Sequence, residues 1–100
     1  MKKYNIQITP DALNDIINIS NYIFDKSKNI FISKKVYNLL ISWCNSLEIL
    51  PYIYQIQFDN IRRLLVKNYS IFYEILEEDN KVIIYRVLWN SQDYLKINFK

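Results

Sequence analysis

The chain contains no glycine and no histidine, and only one cysteine and two prolines among its 100 residues. Without glycine, neither the phosphate-cradling P-loop nor the dinucleotide fingerprint can be built, because both need backbone without a Cβ at the closest approach to the ligand. Without histidine, Ser-His-Asp and Cys-His nucleophile systems are excluded, and so are most zinc sites. The lone Cys44 cannot form an internal disulfide. Set among apolar residues, it reads as a small core hydrophobe, and a reducing cytoplasm is the expected compartment. No run approaches the roughly 20 apolar residues of a membrane-spanning helix. The basic pair Lys2-Lys3 has no apolar stretch behind it, so no signal peptide is expected. The carboxylates are scattered without ligand spacing, and no metal or organic cofactor is expected.

What is present is a core. Hydrophobic residues make up 51% of the chain and aromatics 16%. A chain of this length forms one domain, here residues 1–100, and buries roughly 60–70% of its unfolded surface. The net charge of +3 is weak for a nucleic-acid binder, whose footprint is a clustered basic patch. The charge is segregated on a finer scale. Ile61–Tyr73 holds Arg62, Arg63 and Lys67 and no acid, whereas Glu74–Asp79 holds Glu74, Glu77, Glu78 and Asp79 and no cation. The acidic run reads most simply as a solvated hairpin tip.

Periodicity gives the elements. Residues 3–8 alternate, placing Tyr4, Ile6 and Ile8 on one face of a strand. Thr9-Pro10-Asp11 starts a helix: Thr9 caps it, Pro10 fits the first helical position, and Asp11 suits the positive end of the dipole. Ala12, Ile16, Ile19 and Ile23 form its apolar stripe, widened by Leu13, Ile17 and Phe24. A second helix spans about Ile30 to Glu48 and ends before Pro51. Residues 51–60 fit either an aromatic loop or an extra strand. Ile61–Val66, Tyr69–Leu76 and Val82–Leu88 then read as a three-stranded meander. Lys67-Asn68 is its first turn, with Asn68 standing in for glycine at positive φ. A short terminal helix capped by Asn90 or Ser91 can follow. The order β-α-α-β-β-β implies an α+β fold, a helical hairpin packed on one side of an antiparallel sheet.

This order, together with local signatures, resembles the RelE/ParE toxin superfamily, the plasmid-stabilisation toxins of type II toxin–antitoxin systems. Ile8-Thr9-Pro10-Asp11-Ala12-Leu13-Asn14-Asp15-Ile16 is similar to the family's "T-x-x-A-x-x-D-[IL]" opening. Leu47–Pro51 is similar to its "L-x-x-x-P" helix exit. Ile61–Ile75 resembles its "R-x-L-x-V-x-x-Y-x-I-x-Y-x-[IV]" core, and Val82–Leu88 with Asp93-Tyr94 resembles its "I-x-I-x-R-V-L" and "R-D-Y" ending. The resemblance implies a growth-inhibiting toxin neutralised by a small cognate antitoxin. It also implies contact with operator DNA only through that antitoxin.

Two activities occur in such a family: cleavage of messenger RNA on the ribosome, and poisoning of DNA gyrase by protein contact. The RNA-cleaving branch places an arginine where this chain has Ser70, and basic residues where it has Trp89-Asn90-Ser91-Gln92. Cleavage through the 2′-hydroxyl needs a base, an acid and stabilisation of charge on phosphorus. Without histidine, the groups left for a nuclease are Arg62, Arg63, Tyr73, Arg86 and Tyr94, with Lys67 in reserve, and none is an obvious base at neutral pH. The departures lean towards gyrase; ribosome and messenger RNA, or a toxin fold without activity, are the alternatives. Strand alternation sets Arg62 and Arg63 on opposite faces. It also places Arg86 in line with Val82, Ile84 and Leu88, a cation on an apolar face that requires a partner. Tyr69, Ile71, Tyr73 and Ile75 share a face that reads as core.

Overall fold

In the computed structural model, which describes residues 2–97 and 99, Thr9 ends the first strand, β1 (Asn5–Ile8), and starts the first helix, α1 (Pro10–Ser27). Its hydroxyl accepts the Ala12 N–H at 3.1 Å and donates to the Tyr85 carbonyl, so one side chain caps the helix and ties it to the sheet. Lys28, at φ 54°, closes α1 in the left-handed conformation, its N–H donating to the Phe24 carbonyl. Asn29 then caps α2 (Ile30–Asn45) by accepting the Phe31 and Ile32 N–H groups. The second helix ends three residues earlier than its apolar spacing predicts, passing into a 3₁₀ turn over Ser46–Glu48.

The remaining strands are β2 (Ile56–Phe58), β3 (Ile61–Val66), β4 (Tyr69–Leu76) and β5 (Lys81–Trp89). The sheet order is β1-β5-β4-β3-β2. The short β2 resolves the ambiguity over residues 51–60 in favour of an extra strand after a 3₁₀ turn at Pro51–Ile53. The expected antiparallel sheet is in fact mixed. β1 runs parallel to β5, because the helical hairpin returns the chain to the far side of the sheet before the meander begins. The fold is α+β, two helices on one face of a five-stranded mixed sheet.

That helix-side face holds the main core. Ala12, Ile16 and Ile19 of α1 and Leu40 and Cys44 of α2 meet Leu64, Val66, Tyr69, Ile71, Tyr73, Val82, Ile84 and Val87 of the sheet. Trp43 of α2 stands at the surface. Leu13, Ile17 and Phe24 stand beside the buried stripe of α1 and remain more than a third exposed. The opposite, far face carries a second cluster of Ile61, Phe72 and Leu88, overlaid by Phe58, Tyr94, Ile97 and Phe99. The terminal turn is 3₁₀, over Tyr94–Lys96, and its cap is Asp93 rather than Asn90 or Ser91.

With no glycine to use, the chain adopts positive φ at Lys28, Asp59, Lys67 and Asn80. The β3–β4 turn therefore places its left-handed residue at Lys67, not at the expected Asn68. A two-residue hairpin with positive φ only at its first position still matches the strand twist.

Candidate functional site

One extra residue on β5 sets the surroundings of Arg86. Phe72 pairs with Arg86 and the next residue, Tyr73, pairs with Ile84, so Tyr85 is unopposed and bulges from the ladder. The expected alternation of Val82, Ile84, Arg86 and Leu88 breaks there. Val87 replaces Leu88 on the helix side, and Leu88 joins Phe72 on the far face. Arg86, at the bulge, reaches towards α1. Its Nε and Nη2 donate to the Asp15 carboxylate at 2.7 and 2.8 Å, and the Val87 N–H donates to the same group at 2.9 Å. The hydrogen bond and charge of Asp15 raise the Arg86 pKa above its ordinary value. The partner that Arg86 requires is thus a helix carboxylate that also holds the bulged backbone.

Tyr73 is fully buried, and its hydroxyl donates to the Pro51 carbonyl at 2.5 Å. Burial pushes its phenol far above the ordinary tyrosine range, which makes it a poor proton carrier at neutral pH. Arg62 extends along the loop before β2. Its Nη1 donates to the Tyr54 carbonyl at 2.6 Å and to the Tyr52 carbonyl at 3.3 Å, and the guanidinium lies 5.0 Å from the centre of the Tyr52 ring. Lys67 occupies the hairpin turn.

Arg63 and Tyr94 do come together, on the far face. The guanidinium lies 5.0 Å from the centre of the Tyr94 ring and 5.5 Å from that of Phe72. Its Nε donates to Ser70 Oγ at 2.9 Å and its Nη1 to Gln57 Oε1 at 3.1 Å. The buried Ser70 hydroxyl donates in turn to Asn90 Oδ1, and Asn90 Nδ2 donates to the Lys67 carbonyl. Ser70, where resemblance to an RNA-cleaving branch would call for arginine, is therefore a serine that anchors Arg63. Tyr94 stacks on Phe58, with centroids 5.9 Å apart, and Phe99 lies against both Phe58 and Phe72. This face also holds one nearly buried carboxylate, Glu74, whose Oε1 accepts the Tyr85 hydroxyl at 2.9 Å.

The acidic run is more than a solvated tip. Glu77 accepts from Lys2 and from the hydroxyls of Tyr4 and Tyr52, and these donors, Lys2 foremost, hold its carboxyl down at about 2. The five residues predicted for catalysis therefore fall at three places: Arg63 with Tyr94 on the far face, Arg62 with its cross-strand partner Tyr73 at the segment 51–54, and Arg86 at the bulge. Among the described residues, no group of three Cys, Asp or Glu side chains could hold a metal ion, and no helix is long and apolar enough to cross a membrane. The residue pattern assigned no role to Asp15 or Gln57, and gave Asn90 only that of a helix cap. Asp15 had a signal, since it stands in the "D-[IL]" signature and Arg86 required a partner. The link from Ser70 to Asn90 depends on β4–β5 pairing and left no trace in residue spacing.

The geometry agrees with comparison to known proteins. A family model described as the ParE toxin of the type II toxin–antitoxin system parDE matches residues 6–94. No curated protein matches the chain in sequence. Solved structures that share the fold include two toxin–antitoxin systems. The toxin–antitoxin complex RelBE2 from Mycobacterium tuberculosis is similar at a TM-score of 0.66 and 16% identity, over 92% of this chain and 97% of that one. The chromosomal ParDE system from P. aeruginosa is similar at a TM-score of 0.75 and 12% identity, over 87% of this chain and 96% of that one.

Proposed function

The chain belongs to the ParE toxin family of type II toxin–antitoxin systems, and from that membership we propose that it arrests growth in the cytoplasm by protein contact with DNA gyrase. A cognate antitoxin neutralises it and carries any contact with operator DNA, in keeping with a net charge of only +3. The observation that carries the gyrase reading is the dispersal of the RNA-cleaving candidates. Tyr73 is sealed against a backbone carbonyl, Arg86 is committed to Asp15, and Arg62 is bonded to loop carbonyls. Arg63 and Tyr94 alone supply one cation and one phenol. Stabilising charge on phosphorus is within their reach; the general base that starts 2′-hydroxyl attack is not among them. Protein contact needs no such base, and exposed aromatics with arginine suit interface anchors.

The test pairs two assays. Purified protein added to gyrase should inhibit supercoiling of relaxed plasmid. Induction of the gene alone should leave labelled-methionine incorporation running for the first minutes while growth stops. Immediate collapse of incorporation with normal supercoiling would sink the gyrase reading and assign the activity to ribosome-bound messenger RNA.

A further inference from the structure

The two helices of the hairpin outrun the sheet. Ser20 is the last buried residue of α1 and Ser33 the first of α2, and the Ser33 hydroxyl donates to the Ser20 carbonyl at 2.8 Å. Beyond that bond, none of residues 21–32 is buried, and every residue from Phe24 to Ile32 is exposed. Roughly two turns of α1, the link at Lys28 and Asn29, and the first turn of α2 therefore project into solvent as an apex.

This apex carries side chains that neither the core nor the far face uses. Ile30, Phe31 and Ile32 follow one another at 48%, 79% and 46% exposure. Lys26, Lys28, Lys34 and Lys35 flank them in the chain. Residues 21–36 hold these four lysines against one acid, Asp25, a local excess of +3 that equals the net charge of the whole chain. Among the described residues none of the four is ion-paired. Lys26 lies instead 5.5 Å from the centre of the Tyr22 ring.

The pattern selects a fluid occupant. Successive helical residues are turned by about 100°, so Ile30, Phe31 and Ile32 spread over about 200° of the helix surface. A groove on a folded partner covers one stripe of a helix; an acyl layer surrounds all three side chains at once. Spacings of three and four place Lys34 one turn behind Ile30 and Phe31, and Lys35 one turn behind Phe31 and Ile32. One turn is about 5.4 Å, which keeps the ammonium groups at the phosphates when the apolar side chains enter the headgroup–acyl boundary, about 5–10 Å deep. A second copy docking apex to apex would bring the same lysines together, and like charges repel.

We propose that the apex of the helical hairpin docks on an anionic phospholipid bilayer, with Ile30, Phe31 and Ile32 entering the headgroup–acyl boundary and the four lysines meeting lipid phosphates. The docking is peripheral, since no helix among the described residues is long and apolar enough to cross a membrane. The test is co-sedimentation of the full chain with phosphatidylcholine vesicles, with and without phosphatidylglycerol, at one salt concentration. Binding should require phosphatidylglycerol. A lysine near an anionic surface contributes about fivefold in affinity, so Lys34→Gln with Lys35→Gln should weaken binding about 25-fold. Phe31→Ser should weaken it about tenfold or more. All three positions are exposed, so both variants should melt with the wild type. Phe31→Trp places a fluorophore at the apex, and its emission should shift to the blue on binding. No sedimentation with phosphatidylglycerol vesicles overturns the proposal and leaves an acidic protein as the counterpart of the apex. Equal binding to both kinds of vesicle overturns it, because the lysines would then play no part. Binding undiminished by Phe31→Ser, with no blue shift of the tryptophan variant, overturns it as well, because the lysines alone would then be adsorbing to the surface.

Discussion

Asp15→Ala tests whether the bulge on β5 is held by the helix. The carboxylate accepts three hydrogen bonds, two from Arg86 and one from the Val87 N–H, all between 2.7 and 2.9 Å. The two side chains are largely withdrawn from water, at 11% exposure for Asp15 and 22% for Arg86. Removing one partner of a buried pair costs about 3–5 kcal/mol, because the other charge stays behind unpaired. Residual access of Arg86 to water moves the expectation to the lower end, about 3 kcal/mol. Against the roughly 5–15 kcal/mol that holds a domain folded, this is a large fraction. At roughly 4–8 °C per kcal/mol for this size, the melting temperature should fall by about 12–24 °C. Urea unfolding followed by far-ultraviolet circular dichroism gives the number, with an unchanged slope confirming that the native state is still compact. Asp15→Asn keeps an acceptor for Val87 and should cost only about 1–2 kcal/mol. The double change Asp15→Leu with Arg86→Met should recover most of the loss, since no charge is then left buried. A loss below about 0.5 kcal/mol for Asp15→Ala, the level of an exposed pair, would refute the clamp.

The depressed Glu77 carboxyl predicts a pH signature. Its folded value of about 2 lies below the ordinary 4.5, so its contribution is present at neutral pH and is lost as pH falls through that interval. The urea midpoints of wild type and Glu77→Gln should therefore converge between pH 4.5 and 2, and a constant gap would refute the three-donor reading. Cys44 predicts chemical silence: burial pushes its thiol up to about 12, so a disulfide reagent at pH 8 should label it only as fast as the protein unfolds globally. Rapid labelling of native protein would instead show the helical hairpin opening on its own.

Local chemistry explains which elements were legible from residues alone. Thr9-Pro10 announced α1 because a cap and a first-turn proline act within a few residues. The alternating Tyr69, Ile71 and Tyr73 announced the buried face of β4 because that strand keeps period two throughout. The parallel pairing of β1 with β5 was not legible, since it joins residues about 76 positions apart and depends on the hairpin between them. Nor was the surface position of Leu13, Ile17 and Phe24, because helical spacing fixes a stripe's direction but not how much of it the sheet covers. Turn chemistry misplaced positive φ at Asn68 because residue preference ranks asparagine above lysine, whereas the hairpin geometry requires the first turn position, Lys67.

The bulge at Tyr85 has the greatest functional weight. Period-two reading put Arg86 on the apolar row with Val82 and Ile84, as a cation that requires a partner, and Asp15 of α1, on that same side, supplies it. The unopposed Tyr85 shifts the parity only beyond Arg86, so that Val87 takes the helix side and Leu88 the far face. The far face keeps Arg63, bonded to Ser70 and packed on Tyr94 and Phe72. Its neighbours are two rings, the Ser70 hydroxyl and the Gln57 amide, and Glu74, the carboxylate on that face, is nearly buried and bonded to Tyr85. Turning this face into a nuclease would require a base beside Arg63, and Ser70, which accepts its Nε, is already bonded on both sides. The same hydrogen bonds that keep Arg63 in place therefore set a hydroxyl and an amide, not a carboxylate, beside its guanidinium.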